Sequence, residues 1–125
     1  MNKSINFKDK SFVVYGLGLT GTSVVNFLKK NKAKKICTWD DYLIKSNQKL
    51  KNEFKANLNF FDFIVISPGI NIQKSKFKKI LLKNKKKIIT DLDLFFLKND
   101  VERSVMITGT NGKSTTCSLI HHILK

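Results

Sequence analysis

The sequence of 125 residues contains little cysteine, proline or arginine. Its two cysteines, Cys37 and Cys117, are too few for a disulfide framework, and we interpret both as small core residues in a reducing compartment. No apolar run approaches the roughly 18 residues that a membrane span needs. The first ten residues also lack the apolar stretch of a secretory signal. These absences predict a cytoplasmic protein.

Acidic residues are scarce as well, nine against 24 lysines and arginines, which gives a formal net charge of +15. A strongly basic face is typical of proteins that bind nucleic-acid phosphates. However, Arg103 is the only arginine, and nucleic-acid readers rely on the bidentate fork of arginine. We therefore favour a solvated lysine surface, with the densest run, Lys83-Asn-Lys-Lys-Lys87, at the exposed end of a helix. We expect a monomer that neither binds nucleic acid nor inserts into a membrane.

What the chain does contain is a regular alternation of strand and helix patterns. Short apolar runs indicate strands, and the segments between them carry apolar residues at helical spacing. This order, with connections of a few residues, predicts an α/β fold: a Rossmann-like open parallel sheet with flanking helices. The predicted strands are 11–15, 35–39, 62–67 and 88–89, and the predicted helices are 22–30, 46–57, a short one around 77–81, and 92–98.

Three of these strands end in residues suited to a ligand. Gly16-Leu-Gly-Leu-Thr-Gly21 matches the dinucleotide-binding pattern G-x-G-x-x-G at a strand-to-helix junction. Asp40 follows the second strand, about 20 residues later, where an acid can accept hydrogen bonds from a ribose or a base. Ser67-Pro-Gly69 ends the third strand in a sharp turn. Because carboxyl ends of parallel strands share one edge of a sheet, we expect these three tips to form one crevice.

A second glycine-rich turn, Thr108-Gly-Thr-Asn-Gly-Lys-Ser-Thr115, follows the apolar run Val105-Met-Ile107. Such a turn at a helix N-terminus aims backbone N–H groups at a phosphate. Lys113 can then reach the terminal phosphates, and the Ser114 hydroxyl can ligate magnesium. The run predicts an ATP site, in a shortened form of the G-x-x-x-x-G-K-[ST] loop, since Ile107 stands where the first glycine is expected.

This loop normally opens an α/β nucleotide domain that needs several further strands and acids. We therefore predict two domains: residues 1–99 form a substrate-binding Rossmann-like domain, and residues 100–125 supply the first strand, loop and helix of a truncated ATP-binding domain. The sequence is then expected to be a fragment that does not catalyse alone.

Some residues carry competing interpretations. Asp91 and Asp93 could form a carboxylate pair, but Thr90 and Asp93 have capping-box spacing, which favours helix capping. Cys117 and His121 could ligate zinc at i, i+4, yet two ligands are too few, and we expect the Cys117 face of that helix to pack inward. For Trp39 a core role is favoured over stacking on a base.

Taken together, the motifs Gly16-Leu-Gly-Leu-Thr-Gly21, Trp39-Asp-Asp41, Ser67-Pro-Gly-Ile70, Thr90-Asp-Leu-Asp-Leu-Phe95 and Ile107-Thr-Gly-Thr-Asn-Gly-Lys-Ser-Thr115 resemble the Mur ligases of peptidoglycan synthesis. The resemblance runs from about Phe7 to the last residue. The Leu-Thr pair in the first motif favours the branch that adds D-glutamate to UDP-N-acetylmuramoyl-L-alanine. Asp41-Tyr42 departs from the pattern of the relatives.

The resemblance implies an ATP- and Mg²⁺-dependent amide ligase of three domains that acts through an acyl-phosphate intermediate, with roles in cell-wall biogenesis, cell shape and division. Its first domain would hold the UDP of the substrate through Gly18, Leu19, Thr20, Gly21, Asp40, Asp41, Ser67, Pro68 and Gly69. ATP would lie on Gly109, Thr110, Asn111, Gly112, Lys113, Ser114 and Thr115, with Lys113 and Ser114 catalytic and Ser114 on the metal. The alternative is a Rossmann module that binds NAD or another nucleotide without ligase activity.

Overall fold

The protein is seen here in a computed structural model, which describes residues 5–43, 48–98 and 105–125. Four parallel strands form one sheet in the order β2-β1-β3-β4. The elements are β1 Ser11–Tyr15, α1 Leu19–Lys30, β2 Lys35–Trp39, α2 Gln48–Phe60, β3 Phe63–Ile66, α3 Lys78–Lys83, β4 Ile88–Ile89, α4 Asp91–Lys98 and α5 Lys113–Ile123.

The central strand β1 is covered on both faces, as its unbroken apolar sequence predicts for a parallel sheet. Its alternate residues enter two different cores. Val13 and Tyr15 pack with the residues of α2 and α3, whereas Phe12 and Val14 pack with those of α1 and α4. The domain is therefore a three-layer α/β structure, and the prediction of an open parallel sheet with flanking helices is confirmed.

The first core is rich in aromatic rings. The Phe54 ring centroid lies 5.7 Å from that of Tyr15, 5.4 Å from that of Trp39 and 5.0 Å from that of Phe77. Trp39 is only 3% exposed, so the interpretation of this residue as part of the core is confirmed. The rings pack the tip of β2 against α2 and fix the position of the turn that follows β2.

Most elements lie within a few residues of their predicted bounds. Helix α1 begins at Leu19 rather than Thr22, because Gly18 already serves as its N-cap in an extended conformation. The predicted capping box is present: Asp93 accepts a bond from the Thr90 N–H at 2.7 Å and donates its own N–H to the Thr90 hydroxyl at 3.2 Å. The predicted domain boundary at residue 99 lies outside the described residues.

The C-terminal segment differs from expectation. Residues 105–107 were expected to form a strand, but they are not in a strand here, because no described strand pairs with them. Helix α5 does form, yet it has no buried residue. The prediction that Cys117 faces a core is therefore wrong in this chain, since Cys117 is exposed while Cys37 is half-buried.

Candidate functional site

The three strand tips singled out in the sequence do meet at one point, the backbone of Gly16 and Leu17. The Gly16 N–H donates to the carbonyl of Trp39 at 2.8 Å, and the Leu17 N–H donates to Asp40 Oδ2 at 2.7 Å. On the other side, the Ser67 hydroxyl donates to the Gly16 carbonyl at 2.8 Å. The tips of β1, β2 and β3 are thus tied together at the carboxyl edge of the sheet, where open α/β sheets bind ligands.

The three glycine positions of the first motif differ in what a side chain there would meet. Gly16 has a φ of +94°, and a Cβ there would lie 2.9 Å from the Cβ of Ser67. A Cβ on Gly21 would lie 1.7 Å from the Gly16 carbonyl oxygen, so α1 can pack on β1 only without it. A Cβ on Gly18 would meet nothing within 4 Å. Gly16 and Gly21 therefore serve the fold, while Gly18 faces open space in front of the N-terminus of α1.

Asp40 anchors the turn after β2. Its Oδ2 accepts the Leu17 N–H, and its Oδ1 accepts the N–H groups of Tyr42 at 2.8 Å and Leu43 at 3.1 Å. Burial acts to raise the pKa of this carboxyl, but the three backbone donors outweigh it and hold the pKa below its usual range. Asp40, which the sequence predicts to be a ligand acceptor, thus holds the tips of β1 and β2 together. A hydrogen bond from a ligand would use the lone pairs that these backbone N–H groups leave free.

The side chain of Asp41 is directed towards the core rather than the crevice. Its Oδ2 accepts the Tyr15 hydroxyl at 2.6 Å, and its Oδ1 accepts the Trp39 indole N–H at 3.0 Å. The Tyr15 oxygen also lies 2.9 Å from the Ser75 hydroxyl. Burial, together with the hydrogen bond to the Asp41 carboxylate, raises the pKa of the Tyr15 phenol above its usual range. Sequence reasoning missed Tyr15 and Ser75, because no local pattern marks either residue as part of this hydrogen-bond network.

The described segments that surround the crevice contain no cationic residue. The described segments 16–22, 40–43, 67–73 and 90–95 surround it, and none of them includes a lysine or arginine. A phosphate bound here would depend on the backbone N–H groups at the start of α1 and on nearby hydroxyls such as that of Thr20. Leu19, at the first turn, is 92% exposed, so these N–H groups lie at the surface. Pro68 and Gly69 are exposed as well.

A cleft next to the first turn of α1 was not predicted from the sequence. It has a volume of about 410 Å³ and lies between α1 and α4. Asp91 lines this cleft, while its neighbour Asp93 is engaged in the capping box. The two carboxylates therefore have different surroundings, which disfavours the interpretation of Asp91 and Asp93 as a carboxylate pair. The lining residues are Leu19, Thr20, Ser23, Val24, Phe27, Asp91, Leu94 and Phe95.

The second glycine-rich turn surrounds the ammonium group of Lys113 with its backbone carbonyls. Gly109 and Gly112 have φ values of +149° and +74°, and Gly112 is the N-cap of α5. The Lys113 ammonium donates to the carbonyl oxygen of Gly109 and lies 3.4 Å from that of Thr110. A cation held inside the loop at a helix N-terminus fits a polyphosphate. Residues 108–119, which include Asn111, Ser114 and Thr115, are exposed.

The described ranges hold no group of three or more histidine, cysteine or acidic side chains that could bind a metal ion. The zinc alternative at Cys117 and His121 thus gains no third ligand within the part of the chain that the structure covers. No helix in those ranges is long and apolar enough to cross a membrane.

Comparisons with known proteins agree with this geometry. Residues 10–90 match the family model "Mur ligase MurD-like, N-terminal domain". The UDP-N-acetylmuramoylalanine--D-glutamate ligase of Wolbachia pipientis wMel is 38% identical over 128 residues, which cover 95% of this chain and 25% of that protein. The enzyme of the same name from Francisella philomiragia is 32% identical over 122 residues, 96% of this chain and 27% of the relative. The chain spans about a quarter of the length of these curated relatives.

Proposed function

The chain belongs to the Mur ligase family through its MurD-like N-terminal domain, and from that membership we propose that it forms the UDP-binding part of a D-glutamate-adding ligase. The whole protein would join D-glutamate to UDP-N-acetylmuramoyl-L-alanine at the expense of ATP, in peptidoglycan precursor synthesis in the cytoplasm. The observation that supports this most directly is the junction of three strand tips at Gly16 and Leu17, next to the open space at Gly18.

We assign the diphosphate of the substrate to the N-terminus of α1. The backbone N–H groups of Leu19 and Thr20 begin an α-helix of 12 residues, whose positive end favours an anion. The Thr20 hydroxyl can donate as well. Because Gly18 has no side chain and a Cβ there would occupy open space, the phosphates can approach the backbone closely.

The uridine would lie between the tips of β2 and β3. Asp40 and Asp41 bring the turn after β2 to one side, and Ser67-Pro-Gly69 brings the turn after β3 to the other. Since the Asp41 carboxylate is engaged by Tyr15 and Trp39, we assign recognition of the base to the remaining lone pairs of Asp40 and to backbone groups of this turn. This assignment refines the prediction that both aspartates contact the ligand with their side chains.

We propose that residues 100–125 begin the central ATP-binding domain, after a substrate domain of residues 1–99. Gly109, Thr110, Asn111 and Gly112 would wrap the phosphates of ATP, and Thr115 would follow them at the first turn of α5. The Lys113 ammonium would move from the loop carbonyls to the phosphates, where its charge stabilises phosphoryl transfer to the substrate carboxylate. Ser114 would hold Mg²⁺, which neutralises phosphate charge when bound. The acyl phosphate so formed would then be displaced by the D-glutamate amine.

Calorimetric titration of the 125-residue chain with UDP and with NAD tests the proposal. We expect UDP to bind more tightly, and we expect Gly18→Ala to weaken UDP binding by about tenfold, because the new methyl group occupies the space of the phosphates. Ser23→Ala, in the next turn of the same helix, is the matched control and should bind UDP like the natural chain.

Tighter binding of NAD than of UDP would contradict the ligase assignment and support a dinucleotide module instead. Equal affinities of the Gly18→Ala variant and the natural chain would show that the phosphates lie elsewhere.

A further inference from the structure

Twelve of the 23 lysines of this protein lie at one end of the sheet. We call this end, where the four strands begin, the amino edge. Ser11 at the start of β1 lies beside Lys35 at the start of β2, and β4 begins directly after Lys87. Helices α1 to α4 run back from the carboxyl edge and end here as well. The two densest lysine runs, 29–35 and 83–87, lie far apart in the sequence but both fall at this edge.

A chain of contacts joins the two runs. The Lys34 N–H donates to the Lys10 carbonyl at 3.0 Å, and the Lys10 ammonium lies 3.7 Å from Asp62 Oδ1. Beyond Asp62, the Lys35 ammonium lies 5.3 Å from the centre of the Phe61 ring. The Lys87 ammonium then donates to the carbonyl of Asn59 at 2.7 Å. The lysines therefore form one continuous basic surface.

Few acids compensate this charge in the part of the chain that the structure describes. Among those residues, Asp9 and Asp62 are the acids at the amino edge, and Asp62 is already engaged by Ser11 and Lys10. At the opposite edge, the described segments that surround the crevice contain four aspartates and no lysine, and Lys74, Lys76 and Lys78 follow the turn after β3. The twelve lysines at the amino edge are Lys8, Lys10, Lys29, Lys30, Lys32, Lys34, Lys35, Lys83, Lys85, Lys86, Lys87 and Lys98.

Apolar side chains emerge within the basic surface. Phe60, the last residue of α2, is 84% exposed, and Leu82 near the end of α3 is 45% exposed. Lys34 and Lys35 line a shallow depression together with Phe60. Lysines that surround an exposed aromatic ring are the combination by which proteins bind the surface of an anionic bilayer, with charges on the headgroups and the ring at the interface.

We propose that the amino edge docks this protein peripherally on an anionic lipid surface. The strand tips at the carboxyl edge then face away from the lipid, so the crevice stays accessible. A lipid surface fits better than a nucleic acid because the charges are all lysine ammoniums spread over a broad face. The described residues contain no arginine that could supply bidentate phosphate contacts.

Co-sedimentation of the 125-residue chain with vesicles tests this proposal. The vesicles contain phosphatidylcholine alone or with about 30% phosphatidylglycerol, a fraction chosen to give the negative surface potential that attracts basic segments. We expect binding to the anionic vesicles only, and loss of binding at high salt. A variant with Lys30, Lys34, Lys85 and Lys86 changed to glutamate should bind at least about tenfold more weakly.

The matched control carries the same change of charge away from the edge, at Lys55, Lys74, Lys76 and Lys78, which are all exposed. This control should keep most of the binding to anionic vesicles. The variant Phe60→Gln, which leaves the charge unchanged, should weaken that binding. Circular dichroism and thermal unfolding check that both lysine variants are folded. Equal loss in the two lysine variants, absence of vesicle binding, or tight binding of single-stranded RNA in place of vesicles would each overturn the proposal.

Discussion

Asp40 shows how one side chain can define the geometry of the candidate site. It is 8% exposed and accepts three backbone N–H bonds, from Leu17, Tyr42 and Leu43. A carboxylate has acceptor atoms on both oxygens, whereas the amide of asparagine has an acceptor on only one side. The local arrangement of the β1 and β2 tips therefore depends on the ionised form of this residue.

We expect Asp40→Asn to lower the free energy of unfolding at pH 7 by roughly 1–3 kcal/mol, because a backbone donor loses its acceptor. The folded-state pKa of Asp40 lies below its usual range, so its ionised form stabilises the fold above the unfolded pKa of about 4. That contribution is lost as the pH falls through the folded pKa. Urea unfolding from pH 7 to pH 2 should therefore show the two proteins converging in acid, and a constant difference would contradict this account.

At the scale of elements, the end of α1 contains an unfavourable residue in a well-formed motif. The Ala33 N–H donates to the Leu28 carbonyl and the Lys32 N–H to the Lys29 carbonyl, both at 3.0 Å, which is the bonding of a Schellman motif. The motif places Lys32 at a φ of +54°, in the left-handed region that favours glycine.

Lys32→Gly should therefore raise the free energy of unfolding by about 0.5–1 kcal/mol, because glycine avoids the steric cost of the left-handed conformation, while its greater backbone entropy in the unfolded chain offsets part of that gain. Thermal unfolding followed by circular dichroism should show a melting temperature a few degrees higher. Lys30→Gly is the control, because it removes the same charge two residues earlier, inside the helix, where glycine should lower stability by about 1 kcal/mol. A Lys32→Gly protein that melts below the natural one would show that the Lys32 side chain stabilises the fold.

At the scale of the whole molecule, the two glycine-rich turns, 16–21 and 108–115, lie in separate parts of the chain. The first turn is held by Asp40 and Ser67 within the sheet domain, whereas Lys113 contacts carbonyls of its own loop. If residues 100–125 begin an ATP-binding domain, the two sites should be separable by mutation.

In a ligase of the length of the curated relatives, Lys113→Ala should lower turnover on the order of a hundredfold or more, because one charge that stabilises the transition state is lost. Binding of the UDP substrate should change little. Steady-state kinetics and calorimetry on the same preparation measure both effects. Near-normal turnover, or loss of UDP binding as complete as the loss of ATP use, would show that the roles of the two loops are assigned wrongly.

The sequence by itself determined the alternation of strands and helices, the capping box at Thr90 and the position of the glycine turn before α1. These features depend on short-range physics: burial of a strand on both faces demands an unbroken apolar run, and a cap or a tight turn demands particular residues within a few positions. For this reason β1 has the bounds that its apolar run predicted.

Only the tertiary structure decided which side chains meet. Tyr15 and Asp41 lie 26 positions apart and Tyr15 and Ser75 lie 60 apart, so their contacts require the strand order and register first. The same reason explains the amino edge, where two lysine runs become one surface because α1 and α3 both end there. Burial of α5 is equally a long-range property, since an amphipathic pattern does not specify the surface that covers it.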